Sequence, residues 1–397
     1  MRSGLSEARV TMLNEGASMY ASEIAPSQSV LSERPIRVMV VDDSAVVRGL
    51  VSRWIEEESG LEVVARHPNG KLAVEDVARS APDIVLLDIE MPVMDGLEAL
   101  PLLLKARPGM RVLMVSTLTK RNAEISFKAL ALGAIDYLPK PDSNFELTLS
   151  SDFRGEMIRK IKALGRLRPN RARLDDRALQ VSGDAGVVDR RAGLAFSYRP
   201  FSLVPPRVIA IGSSTGGPQV LASVLGALSP ALSRVPVLIA QHMPPVFTAI
   251  LAERLNKATG REAKEGKNGE PVKPGIIYVA PGGHHMTVLR AASPVLRIGD
   301  EPPVHFCRPA VDPLFRSVAD TFGPASLGIV LTGMGHDGAA GARRIADAGG
   351  SVIAQDESSS VVWGMPSAAA SVGACAALLP PLRIAEAVAK LVRGVRP

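Results

Sequence analysis

A glycine- and serine-rich stretch at residues 212–217, "GSSTGG", interrupts an apolar run and contains the pattern G-x-S-x-G with Ser214 at its centre. In this pattern a tight strand-to-helix turn projects the serine hydroxyl above the edge of a sheet. Pro218 suits the first turn of a following helix. The stretch lacks the lysine of a Walker A loop and the spacing G-x-G-x-x-G, which disfavours nucleotide binding. The residues predict a nucleophilic serine that needs a base; a plain flexible connection is the alternative.

The base must come from one of six histidines. His242 directly follows the apolar segment "VPVLIAQ", so it is expected at the same sheet edge as the serine. Asp337 follows another apolar segment in a glycine-rich turn and could orient the imidazole, although it could also be a helix N-cap. A triad of Ser214, His336 and either Asp300 or Asp312 would instead have the chain order Ser–Asp–His, which is that of the α/β-hydrolases. Neither aspartate, however, directly follows a convincing strand.

Five polar residues in the first half of the chain follow predicted strands in the same way. They are Asp42, Asp43, Asp88, Ser116 and Lys140. Ligands of parallel α/β sheets bind outside the carboxyl ends of the strands. Carboxylates that converge there repel one another unless a cation neutralises them, and Mg²⁺ prefers oxygen ligands. The pattern predicts a magnesium site that can hold a phosphoryl group on one carboxylate.

The elements that carry these residues alternate between β-branched runs and stretches of helical periodicity. The first five strand–helix units follow one another from Arg37, and a second series of strand–helix units begins at Arg207. This alternation of strands and helices is typical of parallel sheets that have helices on both faces. We therefore predict an α/β protein with two doubly wound domains, the first flavodoxin-like and the second Rossmann-like. The predicted parts are a disordered extension at 1–34, a first domain at 35–153, a basic linker at 154–204 and a second domain at 205–397.

Composition narrows the class of protein further. The 397 residues suggest two or three domains, and the two cysteines disfavour a disulfide framework. No signal sequence or run of about 18 apolar residues is present, so we expect a cytoplasmic protein without membrane insertion. From Arg154 to Arg207 there are 13 Lys or Arg and 5 Asp or Glu. Such a stretch could bind nucleic acid, but a solvated linker is the favoured interpretation.

The segment from Pro35 to Pro141 resembles a response-regulator receiver domain in "VVDDS", "LLDIEMPVMDG", "MVST" and "YLPKP". The resemblance implies that a sensor histidine kinase phosphorylates Asp88. It also implies the following roles: Mg²⁺ binding for Asp42 and Asp43, contact with the phosphoryl group for Lys140, and a switch pair for Ser116 and Tyr137.

The segment from Arg207 to about Val392 resembles the effector domain of chemotaxis-type protein-glutamate methylesterases. The matching stretches are "VIAIGSSTGGP", "AQHMPPVFTAILAERL", "YVAPGGHHM", "VLTGMGHDGA" and "VVWGMPSAAA". The resemblance implies Ser214 as nucleophile, His242 as base and Asp337 as the orienting carboxylate. Thr215 and the backbone of Met334 would support the histidine and the oxyanion. His336 departs from the family, which usually has Asn there.

The resemblance implies a phosphorylation-activated hydrolase that removes γ-methyl groups from glutamates on the cytoplasmic helices of chemoreceptors, and that can deamidate glutamines. The esterase reaction would need no cofactor, and before phosphorylation the receiver would cover the Ser214 cleft. Two other classes stay open: a binding protein that has lost catalysis, and a DNA-binding response regulator. The intact Ser/His/Asp set disfavours the first, and the absence of a recognition-helix pattern disfavours the second, so no nucleic-acid partner is expected.

Overall fold

A computed structural model describes residues 34–141, 151–165 and 196–397. The predicted N-terminal extension up to residue 33 and most of the predicted linker lie outside these ranges. None of the helices within them has the length and apolar character needed to span a membrane.

The first domain contains a parallel sheet with strand order β2-β1-β3-β4-β5 and helices on both faces, the flavodoxin-like order. Its strands are β1 Ile36–Val41, β2 Leu61–His67, β3 Ile84–Asp88, β4 Arg111–Thr117 and β5 Asp136–Lys140. Its first four helices are α1 Ala45–Glu56, α2 Gly70–Ser80, α3 Gly96–Ala106 and α4 Lys120–Ala131. The predicted flavodoxin-like fold is confirmed.

A fifth helix, α5 Ser151–Gly165, packs on the face of this sheet that α1 also covers. Its apolar positions Phe153, Met157 and Ile161 are buried in one cluster with α1. The rings of Phe153 and Trp54 lie 6.3 Å apart. Because burial of this apolar stripe holds the helix on the sheet, the first domain continues to the end of α5. The predicted boundary at residue 153 falls inside this helix.

The second domain contains a parallel sheet of seven strands in the order β14-β13-β12-β6-β7-β9-β8, and an antiparallel hairpin, β10-β11. The strands are β6 Val208–Ser213, β7 Val237–Gln241, β8 Ala263–Glu265, β9 Ile277–Val279, β10 His285–Leu289, β11 Val295–Gly299, β12 Ser326–Val330, β13 Ser351–Gln355 and β14 Ala377–Leu379. The helices are α6 Gly217–Leu228, α7 Phe247–Thr259, α8 Val311–Phe322, α9 Ala339–Asp347, α10 Gly364–Ser371 and α11 Pro381–Val392, with 3₁₀ turns at Leu232–Arg234 and Gly323–Ala325. The predicted second α/β domain is confirmed.

The position of the central strand β6 in the sheet determines where a ligand-binding site can form. Strand β6 pairs with β7 on one side, where Ser213 lies opposite Gln241, and with β12 on the other, where Gly212 lies opposite Val330. The chain winds outward from β6 in both directions, so this is the topological switch point at which α/β sheets bind ligands. The residues that follow β6, β7 and β12 therefore share one edge.

The last part of the predicted linker, residues 196–204, belongs to the packed second domain. The Arg199 guanidinium lies 2.8 Å from the carboxylate of Asp347. The rings of Phe196 and Trp363 meet edge to face at 5.8 Å between centroids. These contacts order the chain before β6 begins.

Candidate functional site

The turn after β6 places Ser214 directly beyond the strand, at the edge of the sheet. The neighbouring Gln241 holds the turn: its Oε1 accepts from Ser213 Oγ at 2.6 Å and its Nε2 donates to the Ser214 carbonyl at 2.9 Å. Gly216 has a φ of +77°, and a Cβ there would lie 2.6 Å from Val361. Only glycine fits this position without strain, so the glycine of the motif shapes the turn that presents the serine.

His242 and Asp337 form a hydrogen-bonded pair at the same edge. His242 follows β7 directly, and its Nε2 lies 2.7 Å from Asp337 Oδ2. The side chains are 12% and 2% exposed, so the pair is largely shielded from water. The predicted juxtaposition of these two residues is therefore present in the structure.

Asp337 does not cap its own helix, because the N-cap of α9 is Gly338. Its carboxylate instead accepts from the backbone N–H groups of Val311 at 2.6 Å and Asp312 at 3.0 Å, the first residues of α8. Burial raises the pKa of Asp337, but the hydrogen bond and charge of His242 and these N–H groups outweigh it and lower the pKa below its ordinary value. The N-terminus of α8 thus helps to keep the carboxylate ionised.

The second ring nitrogen of His242 faces Cys307, a residue that sequence reasoning did not select as part of the site. Cys307 Sγ lies 3.4 Å from His242 Nδ1. Burial lowers the pKa of His242, but the hydrogen bonds and charges of Asp337 and Cys307 outweigh it and raise the pKa to about 10. Within the residues that the structure describes, no hydrogen bond joins Ser214 Oγ to the His242 ring.

The alternative pairing of His336 with Asp300 or Asp312 is not formed. Asp300 Oδ1 lies 2.5 Å from a ring nitrogen of His284. Asp312 Oδ2 lies 3.2 Å from His305 Nε2. The ring of His336 instead lies edge to face with that of His305, with 4.3 Å between centroids. Both aspartates therefore have other histidine partners.

Ser214, His242 and Asp337 line one cavity of about 470 Å³ that lies between the two domains. The second domain also contributes Met334, whose backbone was predicted to support the oxyanion. The first domain supplies the opposite wall from β5 and α5, with Asp136, Tyr137, Pro139, Glu156, Arg159 and Lys160. The first domain thus forms one wall of this cleft.

Two contacts dock the domains next to the serine. Thr215 Oγ1 donates to Asp136 Oδ2 at 2.8 Å, and Lys160 Nζ lies 2.8 Å from the same oxygen. The rings of Tyr137 and Phe247 stack at 4.4 Å with an angle of 7° between their planes. The Thr215 hydroxyl, predicted to support the histidine and the oxyanion, therefore binds the first domain here.

The carboxylates predicted to bind magnesium converge in the first domain. Ligand oxygens of Asp42, Asp43 and Asp88 all lie within 4.8 Å of one another. Lys140 Nζ lies 2.9 Å from Asp88 Oδ2 and 3.4 Å from Asp42 Oδ2. Burial raises the pKa of Asp88 to about 6, although Lys140 opposes this effect. Three clustered carboxylates fit a hard cation such as Mg²⁺.

The predicted switch residues Ser116 and Tyr137 lie on the neighbouring strands β4 and β5. Ser116 Oγ lies 3.3 Å from Ser126 Oγ of α4. Tyr137 is buried against Phe247 of the second domain. Their roles as a switch pair stay a prediction, but Tyr137 directly contacts the domain that it would control.

Comparison with known proteins agrees with this architecture. Residues 209–388 match the CheB methylesterase family and residues 38–150 match the response regulator receiver domain. A protein-glutamate methylesterase/protein-glutamine glutaminase of group 2 operon from Bradyrhizobium diazoefficiens is 51% identical, over 91% of this chain and 95% of that protein. A protein-glutamate methylesterase/protein-glutamine glutaminase from Rhodopseudomonas palustris strain BisB5 is 50% identical, over 94% of this chain and 98% of that protein.

Among solved structures, the CheB methylesterase catalytic domain of Thermotoga maritima is 37% identical, with a TM-score of 0.46, over 48% of this chain and 100% of that chain. The two relatives above are 51% and 50% identical to this chain over 91% and 94% of its length, and this likeness establishes its family. This chain belongs to the CheB methylesterase family and carries a response regulator receiver domain ahead of its esterase domain.

Proposed function

We propose that this chain is a serine hydrolase that removes γ-methyl esters from glutamate side chains of chemoreceptors and deamidates glutamines there. The observation that supports it most strongly is the His242–Asp337 hydrogen bond of 2.7 Å in the cavity that Ser214 also lines. The choice of ester and amide comes from the relatives, which are named for both activities.

The chemistry is acyl transfer through Ser214. When the cleft is open, a neutral His242 takes the serine proton and Oγ attacks the ester carbonyl. Asp337 holds the imidazole and stabilises the imidazolium that forms. The C–O bond to the methoxy group breaks, and His242 returns the proton so that methanol leaves. Water then attacks the acyl-serine, which releases the glutamate carboxylate and restores the hydroxyl.

The receiver is proposed to control access to this chemistry. Asp88 would accept a phosphoryl group from a sensor histidine kinase, and Lys140, whose Nζ lies 2.9 Å from Asp88 Oδ2, would contact that group. Bound at Asp42, Asp43 and Asp88, Mg²⁺ would supply positive charge that stabilises the phosphoryl oxygens. Because β5 and α5 line the cleft, a rearrangement of the receiver after phosphorylation would expose Ser214 to the helices of a receptor.

The proposal is tested by methanol release from methylated chemoreceptor and by labelling with a fluorophosphonate. Replacing Ser214 with Ala should abolish both. Replacing Ser371 with Ala is the matched control, because its exposed hydroxyl donates to the Ser367 carbonyl of the same helix, and this variant should still be labelled at residue 214. Methanol release that persists in Ser214→Ala at the rate of the unmodified protein would refute the assignment.

A second arm tests control by phosphorylation. Asp88→Asn should lose the rise in methanol release that a small phosphodonor produces in the unmodified protein. A binding protein without catalysis would show neither methanol release nor labelling of Ser214. Those two readouts therefore separate an enzyme from a phosphorylation-controlled binding protein.

A further inference from the structure

The hydrogen bonds of His242 leave no ring nitrogen available to a serine in this arrangement. Nε2 is held by Asp337 at 2.7 Å, so only Nδ1 could accept a proton from Ser214. Cys307 Sγ lies 3.4 Å from that nitrogen. A charged ring donates its Nδ1–H to the sulfur, and a neutral one accepts the thiol proton there. In both cases the lone pair that a general base needs is occupied.

We propose that Cys307 is a positioning residue for His242: while its loop is seated in the cleft, the thiol occupies the imidazole nitrogen that Ser214 requires. The proposal rests on the proposed serine chemistry and adds a control element that lies within the esterase domain. Cys307 prevents His242 from acting as a base until the loop that carries Cys307 moves.

Residues of the loop that carries Cys307 line the same cavity as residues of α5. A β-bridge joins Val304 to Cys307, and the two residues between them have positive φ values, 52° for His305 and 62° for Phe306. The guanidinium carbon of Arg159, from α5, lies 5.9 Å from the centre of the Phe306 ring. Displacement of α5 would remove this contact, so opening of the receiver would favour release of the loop.

The charge around His242 agrees with this role. Burial lowers its pKa, but Asp337 and Cys307 together raise the pKa to about 10, so the ring stays protonated at neutral pH. Other charged or titratable groups line the same cavity from α5, β5 and the loops: Asp136, Glu156, Arg159, Lys160, His305, Arg308 and His336. Loss of the thiol should therefore lower the pKa of His242, whereas Asp337 keeps the ring in place.

The test is the titration of His242, followed by NMR in the full chain labelled at histidine Cε1. The His242→Gln variant assigns the signal. In Cys307→Ala the midpoint should fall by about one to two pH units, the effect of losing a hydrogen bond to a charged group. Cys307→Ser should give a smaller fall. Cys375→Ala is the matched control, since this buried cysteine lies in the core and not in the cleft, and it should leave the midpoint unchanged.

The rate at which a fluorophosphonate labels Ser214 gives a second readout. At pH 7, labelling of Cys307→Ala should rise about tenfold for each pH unit by which the midpoint falls, because the neutral fraction of the base rises in that proportion. A midpoint in Cys307→Ala equal to that of the unmodified protein overturns the proposal, as does an equal labelling rate when both fold. If the midpoint falls but Ser214 is labelled in no variant, the coupling of Cys307 to His242 stands and the proposed serine chemistry fails.

Discussion

Replacing Tyr137 with Leu should raise the hydrolytic activity of the unphosphorylated protein. Tyr137 is buried on β5 and stacks on Phe247 of the esterase domain at 4.4 Å. Leucine keeps an apolar side chain at the interface but removes the stacked ring. If the receiver covers the cleft before phosphorylation, as proposed, loss of this contact destabilises the closed arrangement relative to the open one.

The size of the effect follows from the contact that is lost. A stacked aromatic pair contributes about 0.5–1.5 kcal/mol beyond the area it buries. At room temperature this corresponds to a change of about two- to twelve-fold in the closed-to-open equilibrium. Since the open fraction is small while the closed arrangement dominates, activity should rise by the same factor. The hydrogen bond from Thr215 to Asp136 remains, so we expect partial opening only.

The assay is the rate of Ser214 labelling by a fluorophosphonate without phosphodonor. Tyr137→Phe is the matched control because it keeps the ring and removes only the hydroxyl, and it should label at the rate of the unmodified protein. Thermal unfolding confirms that both variants fold. Equal labelling rates for the leucine and phenylalanine variants would refute the reasoning that this stack holds the cleft closed.

Three further predictions concern the esterase domain. Asp337→Asn should lower the rate of ester hydrolysis by a factor on the order of 10⁴, since the ring loses its orienting charge; steady-state kinetics test this, and an unchanged rate would contradict it. The raised pKa of His242 adds stability that is complete below its unfolded pKa of about 6.5 and is lost as pH rises towards about 10. Urea unfolding between pH 6.5 and 10 should show this fall, and His242→Gln should flatten it. Gly333→Ala would place a Cβ 2.3 Å from Met365 and 2.9 Å from the Cβ of Ser214. It should cost about 1–3 kcal/mol of unfolding free energy and slow fluorophosphonate labelling, and an unaltered urea midpoint would show that the site can relax.

The residues at strand ends could be predicted because parallel sheets impose a simple rule. A run of apolar residues followed by a polar one marks the carboxyl end of a strand, and all such ends face the same edge. Asp88, His242 and Asp337 were located in this way. The His242–Asp337 bond then follows from β6 lying between β7 and β12.

Other parts of the site have no such signal. Cys307 lies in a loop after the hairpin β10-β11, and periodicity does not determine the path of a loop. Strands β8 and β14 have three residues each, too few to show alternation. The bond between Thr215 and Asp136 depends on how two folded domains dock. Such contacts depend on the shapes of both surfaces, which no local pattern encodes.

The strand β5 explains how a signal at Asp88 can reach the serine over a short path. Three of its five residues contact different parts of the machinery. Lys140 binds Asp88 at 2.9 Å, and Tyr137 stacks on Phe247. Asp136 accepts a hydrogen bond from the residue that follows Ser214. Under the proposed control, a phosphoryl group on Asp88 would change the charge that Lys140 faces at one end of the strand, whereas the other end contacts the esterase domain. Because a strand is stiff along its length, a shift at the Lys140 end would move the Asp136 end.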